Sequence, residues 1–189
     1  MRKSKISRET EETVVDVELN LDGEGNVEVE TGISFFDHLL ESMGKHGRFD
    51  LSAHGEGDFD HHIAEDVFIA TGKAFEDALE DKKGIRRMGD AIVPMDDSLA
   101  MVALDLGGRV YSDVRVDFEK EELIDLNSDM FVHLLDTFAS NSNSNLHVKI
   151  LRGENDHHKA EAVFKAFGVA LSDAVKIVGE EVPSRKGVV

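Results

Sequence analysis

Two stretches of this 189-residue chain are near copies of one another: GDFDHHIAEDVFIATGKAFEDAL at 57–79 and GENDHHKAEAVFKAFGVALSDAV at 153–175. The match is wider than that pair. FDHLL at 36–40 answers FVHLL at 131–135, and Gly72 answers Gly168. Offsets of 95 and 96 residues differ by a single insertion, so the chain reads as two copies of one half, about 1–88 and about 89–189. A repeated fold accounts for the repeated apolar positions. It does not account for the same ionisable cluster, Asp-His-His-x-x-Glu, standing at the head of a helix twice.

The hydrophobic pattern gives each half the order strands, helix, strand, helix. TVVDVELNL at 13–21 alternates as a half-buried strand, and after the turn residues Asp22-Gly23 and Gly25-Asn26 the segment VEVET reads as the return strand of a hairpin. SFFDHLLESMGK has helical spacing from Ser34 to about Lys45, with a Ser start signal and a Gly stop, RFDLSAHGE reads as a strand, and Ile63 to Leu79 as a long helix. AIVPM, SLAMVALDL and VYSDVRVDF follow as three strands; NSDMFVHLLDTFAS is helical, NLHVKIL a strand, and His158 to Val178 the second long helix.

Composition narrows the chemistry. The chain has no cysteine, which removes disulfides, thiolate nucleophiles and sulfur-ligated zinc together, so any metal must be held by His and carboxylate. A formal charge of −18 argues against a nucleic-acid partner, because phosphate backbones require a basic face. MRKSKISRET is basic with no apolar run behind it, unlike a signal peptide, and no stretch is long and apolar enough to span a bilayer. The expectation is a soluble, cytoplasmic protein.

Glu65 stands three residues after His62 and four after His61; Glu161 stands likewise to His158 and His157. Side chains at those spacings share a helix face, so imidazole and carboxylate can reach one ion. Adjacent histidines point about 100° apart on a helix, so each His-His pair is expected to serve two different ions. A lone histidine at a helix head is ordinarily a cap or a solvated group; two clusters in register, each with an upstream histidine, outweigh that reading. Adding His38 and His133 makes six His and two Glu, or two sites of three His and one Glu. Four such ligands leave about two positions open in an octahedral shell, which suits Mn²⁺ or Fe²⁺ and less well Zn²⁺. Open positions imply catalysis. His46, His54 and His147 have no repeated counterpart, and for them a structural role competes with a functional one.

With these residues stand RETEET, FFDHLL, DHHIAED, GIRRMG, PMDD, ALDLGGR, GENDHHKAEAVFK and PSRKGV. Over almost its full length the chain resembles the imidazoleglycerol-phosphate dehydratase family. The resemblance implies an α/β (α+β) fold of two duplicated half-domains, with four helices sandwiched between two four-stranded mixed β-sheets. It implies a homo-oligomer, a 24-subunit shell with active sites at subunit interfaces and two Mn²⁺ per site. The implied metal ligands are His38, His61, His62, Glu65, His133, His157, His158 and Glu161. Glu12, in RETEET, matches a carboxylate beside the reacting carbon, a candidate acid/base; Glu65 and Glu161 are candidates to assist while ligating. His46 and Asp96 match residues near the substrate, and Arg87, Arg109, Lys165, Ser184 and Lys186 match the family's phosphate grip. Read without the family, SRKG would be a flexible basic tail. Ser42 stands where many relatives carry Gln, which puts one substrate contact in doubt, and the loop before the first DHH is shorter than in many relatives.

The implied reaction is dehydration of D-erythro-imidazole-glycerol phosphate to imidazole-acetol phosphate in histidine biosynthesis. It would explain the duplication, since the substrate's ring has two nitrogens and each needs a metal. The competing readings are a binuclear metallohydrolase acting on a phosphoester and, from another class, a metal-storage or scaffolding shell.

Overall fold

The computed structural model describes residues 1–187. The first half contains β1 (Lys3–Glu9), β2 (Thr13–Asn20), β3 (Val27–Glu30), α1 (Ser34–Gly47), β4 (Asp50–Gly57) and α2 (Asp60–Ala78). The second contains β5 (Met88–Met95), β6 (Ser98–Asp105), β7 (Tyr111–Arg115), the short pair β8 (Glu122–Leu123) and β9 (Leu126–Asn127), α3 (Ser128–Asn141), β10 (Asn145–Arg152) and α4 (Asp156–Ala174). Two four-stranded mixed sheets result, ordered β1-β2-β4-β3 and β5-β6-β10-β7, so corresponding strands hold corresponding places.

The helices fill the space between the sheets. α2 lies on β1 and β2 and α4 on β5 and β6, while α1 packs on α4 and α2 on α3, each helix pair joining opposite halves. Alternation drives the burial: Val15, Val17 and Leu19 of β2 face inward, as do Ala100, Val102 and Leu104 of β6. Phe36, Phe68, Phe131, Phe138, Phe164 and Phe167 interlock between the layers, most ring pairs meeting edge to face.

The fold departs from the sequence pattern at three places. β1 is a strand although KSKISRE alternates polar with polar; only Ile6 packs on the core, and the strand survives as an edge antiparallel to β2. β3 is not the hairpin partner of β2. It runs back in the hairpin direction, but one strand place away, parallel to β4, which occupies the intervening position. The cause is visible at Asp50, the first residue of β4. Its carboxylate accepts the backbone N–H groups of Glu24 (3.0 Å) and Asn26 (3.1 Å) and the amides of Asn20 and Asn26, which ties the 22–26 turn across the start of β4. Third, Ser34 is not the N-cap of α1. Ile33 holds that place without a side-chain cap, and Asp125 of the β8–β9 turn accepts from Ser34 Oγ (2.6 Å) and the Phe35 N–H (3.0 Å).

Those hydrogen bonds, the Glu24 and Asn26 N–H groups foremost, hold the Asp50 carboxyl down at about 2. A folded-state value below the unfolded one, near ~3.9, means the stabilisation is present above that value and is lost as pH falls through about 2. Asp50→Asn is expected to cost about 1–2 kcal/mol at pH 7, the lower part of the range for bonds to a charged group, since the carboxylate is only half-buried. In urea melts, the gap from wild type should narrow as pH drops from roughly 5 toward 2. A gap independent of pH would show that the charge is not what holds the turn.

Candidate active site

α1 and α4 cross at close range because Gly168 has no side chain: a Cβ there would lie 2.2 Å from the Met43 carbonyl oxygen. Gly72 plays the same part between α2 and α3, where a Cβ would stand 2.9 Å from Asn141 Cβ. These crossings bring the ionisable residues of opposite halves together.

At the first crossing, Glu161 Oε2 faces two imidazoles, His38 Nε2 at 3.5 Å and His157 Nε2 at 3.3 Å. Its other oxygen accepts from Lys165 Nζ at 2.7 Å. Burial opposes ionisation of Glu161, but the Lys165 hydrogen bond and charge, with His38, outweigh it and keep the carboxyl below its ordinary value. One ligand atom from each of His38, His157 and Glu161 lies within 4.8 Å of the others, a nitrogen and carboxylate-oxygen donor set that fits an Mn²⁺- or Fe²⁺-type ion. The cluster borders a cleft of 390 Å³ lined also by Glu41, Ser42, His46 and Lys165. Burial first, then the charge of Lys165, pushes the His46 imidazole below its ordinary value, while Glu161 pulls the other way. Ser42 is thus a wall of this cleft.

At the second crossing His133 Nε2 lies 3.0 Å from Glu65 Oε1. The equivalent of His157 here, His61, is stacked on Phe59 (5.6 Å, 23°) and lines a 300 Å³ cleft with Asp60, Ile124 and Asp125. Among the described residues it makes no ion pair with Glu65.

The second histidine of each pair has different partners altogether. His62 Nδ1 is 2.9 Å from Asp58 and 3.7 Å from Glu12. His158 Nδ1 is 2.5 Å from Asp97, and its Nε2 is 3.5 Å from Asp96. The Asp58 hydrogen bond raises His62 above its ordinary value against the effect of burial, and Asp58 is lowered in return. Asp97 is held well below the usual carboxylate range, by His158 first and then by the N–H groups of Glu154 and Asn155.

The proposed phosphate grip is dispersed over the chain. Arg87, in a left-handed backbone conformation (φ 74°), forks onto Asp105 and donates to the Pro183 carbonyl, so it straps down the C-terminal segment. There Ser184 Oγ accepts the Lys186 N–H at 3.2 Å. Lys165 is in the His38 cleft, and Arg109 lies on the exposed loop after β6. Sequence reasoning missed Asp97 and Asp58. The signals were present: Asp97 adjoins Asp96 in PMDD, and Asp58 precedes His62 by one helical turn.

The family model for imidazoleglycerol-phosphate dehydratase matches residues 31–171. The chain is similar to the imidazoleglycerol-phosphate dehydratase of Methanosarcina mazei, 49% identical over 190 residues, covering 99% of each chain. It is similar to that of Dehalococcoides mccartyi, 50% identical over 187 residues, covering 99% of this chain and 93% of the relative. Its structure is similar to the crystal structure of IGPD from Pyrococcus furiosus, with a TM-score of 0.86, 33% identity, and coverage of 97% of this chain and 100% of that one. With a histidine–carboxylate contact at each of two helix crossings, between two sheets of equal order, the chain belongs to the imidazoleglycerol-phosphate dehydratase family of hydro-lyases.

Proposed function

We propose that the chain dehydrates D-erythro-imidazole-glycerol phosphate to imidazole-acetol phosphate with two Mn²⁺ per active site. The observation that carries the metal dependence is the convergence of His38, His157 and Glu161 from opposite halves. His38, His157 and Glu161 would hold one ion; Glu65, His133 and His61 would hold the other. His62 and His158, held through Nδ1 by Asp58 and Asp97, would complete the shells of neighbouring copies, which requires a homo-oligomer and fits a 24-subunit shell. The equal order of the two sheets supports reading 1–88 and 89–189 as copies of one half, and no helix among the described residues is long and apolar enough to cross a membrane. A cytoplasmic location accords with a biosynthetic role.

When bound, the ions supply Lewis-acid charge that favours the anionic form of the substrate's imidazole. The chain's own residues do the rest. His46, whose imidazole burial and then Lys165 push below its ordinary value, lines the cleft in which the substrate would lie. Glu12, 59% exposed at the β1–β2 turn, is free to take or return a proton at the substrate carbon. Lys165 gives the cleft a local positive charge in a strongly acidic chain, and with Arg87, Arg109, Ser184 and Lys186 it would grip the phosphate. Asp96 stands at the same turn as the His158 partner, at the substrate's edge.

Protein stripped of metal is expected to be inactive and to regain turnover with Mn²⁺, producing ketone without free phosphate. Release of inorganic phosphate would favour a phosphoester hydrolase, and full activity after chelation would remove the metal from the reaction.

A further inference from the structure

The turns joining β1 to β2 and β5 to β6 are equivalent, and each faces the head of a long helix. Glu12 stands in the first where Asp97 stands in the second. Asp97 spends both of its oxygens on that helix head. Oδ1 lies 2.5 Å from His158 Nδ1, and Oδ2 accepts the N–H groups of Glu154 (2.6 Å) and Asn155 (3.0 Å). Glu12 makes no such bond, its carboxylate remaining 3.7 Å from His62 Nδ1. Asp58 does so instead, at 2.9 Å, from one turn before the histidine on its own segment. The residue at the place of Asp58 in the second half is Glu154, which offers Asp97 only its backbone N–H. Two histidines in equivalent places are therefore each held through Nδ1 by a carboxylate, but the carboxylates come from different places in the fold.

A carboxylate can only accept, so a neutral ring held this way carries its proton on Nδ1 and presents the Nε2 lone pair. Among the described residues, Nε2 of His158 makes one ion pair, with Asp96, 71% exposed and 3.5 Å away, and no hydrogen bond comparable to that at Nδ1. We propose that Asp97 and Asp58 are the positioning residues of His158 and His62, fixing which ring nitrogen is offered to an ion. The inference rests on the metal-dependent reading given above. It assigns work to two aspartates outside the ligand set, and it explains how the Glu12 carboxylate keeps only a 3.7 Å ion pair with His62 at a turn whose counterpart is hydrogen-bonded through both oxygens.

The test is Mn²⁺ binding by the assembled protein, followed by the electron paramagnetic resonance signal of the free ion, in wild type, Asp97→Asn and Asp58→Asn. In Asp97→Asn the amide oxygen can still accept the two backbone N–H groups. Its NH₂ then faces His158 Nδ1, which must accept, and the ring proton moves to Nε2. The expected result is two ions per chain in wild type. In each variant one class of ion should be unchanged and the other weakened roughly 10- to 100-fold, with the melting temperature nearly unaltered. Two ions bound at wild-type affinity in both variants would overturn the inference, leaving Asp97 a cap of the helix head. Equal weakening of both ions with a lowered melting temperature would overturn it too. Wild-type protein that binds no Mn²⁺ would overturn the metal-dependent reading itself, and this inference with it.

Discussion

Glu161→Gln is expected to lower turnover by roughly 10²- to 10⁴-fold without unfolding the protein. The substitution keeps the shape of the side chain and replaces one acceptor oxygen by a donor. Neither orientation of the amide is harmless. With its NH₂ toward Lys165, it opposes an ammonium now 2.7 Å from a carboxylate oxygen; with its NH₂ toward His38 and His157, it removes the acceptor that both face. Glu161 is nearly buried, so its variant should also lose stability, about 1.5–3 kcal/mol for the charge-assisted bond. Glu65→Gln separates the two effects. Glu65 is 39% exposed and faces His133 without a lysine, so turnover should fall as far while the melting temperature stays close to wild type. Ketone formation under saturating Mn²⁺, measured beside thermal melts, checks both. Near-native turnover in either variant would show that the two clusters are not both required.

Lys159→Ile carries the largest expected stability cost. Lys159 and Asp156 are 6% and 5% exposed at 2.9 Å, and the ammonium also donates to the Asp117 carbonyl. Asp156 accepts the N–H groups of Glu119 and Lys120 as well, so this pair clamps the 117–120 segment to the helix head bearing His157 and His158. Burial works against the Asp156 charge, yet Lys159 and the two N–H groups keep its pKa below the ordinary value. Removing the lysine strands that charge, a loss of about 3–5 kcal/mol, or roughly 6–20 °C in melting temperature for a domain of this size. The first half shows the remedy: Ile63 stands at the place of Lys159, and its Asp60 is exposed. Lys159→Ile with Asp156→Asn should therefore recover more than half the loss, because the amide oxygen can still accept from the 119–120 backbone. A double variant no more stable than the single one would mean that the ammonium itself, through Asp117, holds the segment.

The proposed ligand residues could be singled out in the sequence because each is carried by a local motif that occurs twice. Their grouping was not. His38 meets Glu161, and His133 meets Glu65, only because helices from opposite halves cross where Gly168 and Gly72 permit it, and spacing along one helix says nothing of that. The i,i+4 partner of Glu161, His157, joins its cluster, whereas the i,i+3 neighbour His158 is drawn off by Asp97, a residue on a distant turn. The four helices and most strands followed from periodicity. β1 escaped because an edge strand needs little apolar patterning, and the partner of β3 escaped because Asp50, not the hairpin residues, decides what lies beside it. The β8–β9 pair is two residues a side and interrupts the second half alone, so neither periodicity nor the repeat announces it.

The exchange of helices across the midline also bears on what a half-length polypeptide could do. It would present the histidine of one cluster and the carboxylate of the other, with neither cluster complete. Only by meeting a second copy of itself, in the crossed arrangement that α1 with α4 and α2 with α3 now preserve, would it close two identical sites. Joining such halves in one chain makes the meeting intramolecular and obligatory. It also leaves the two sites free to differ, as Glu12 and Asp97, or Ile63 and Lys159, do.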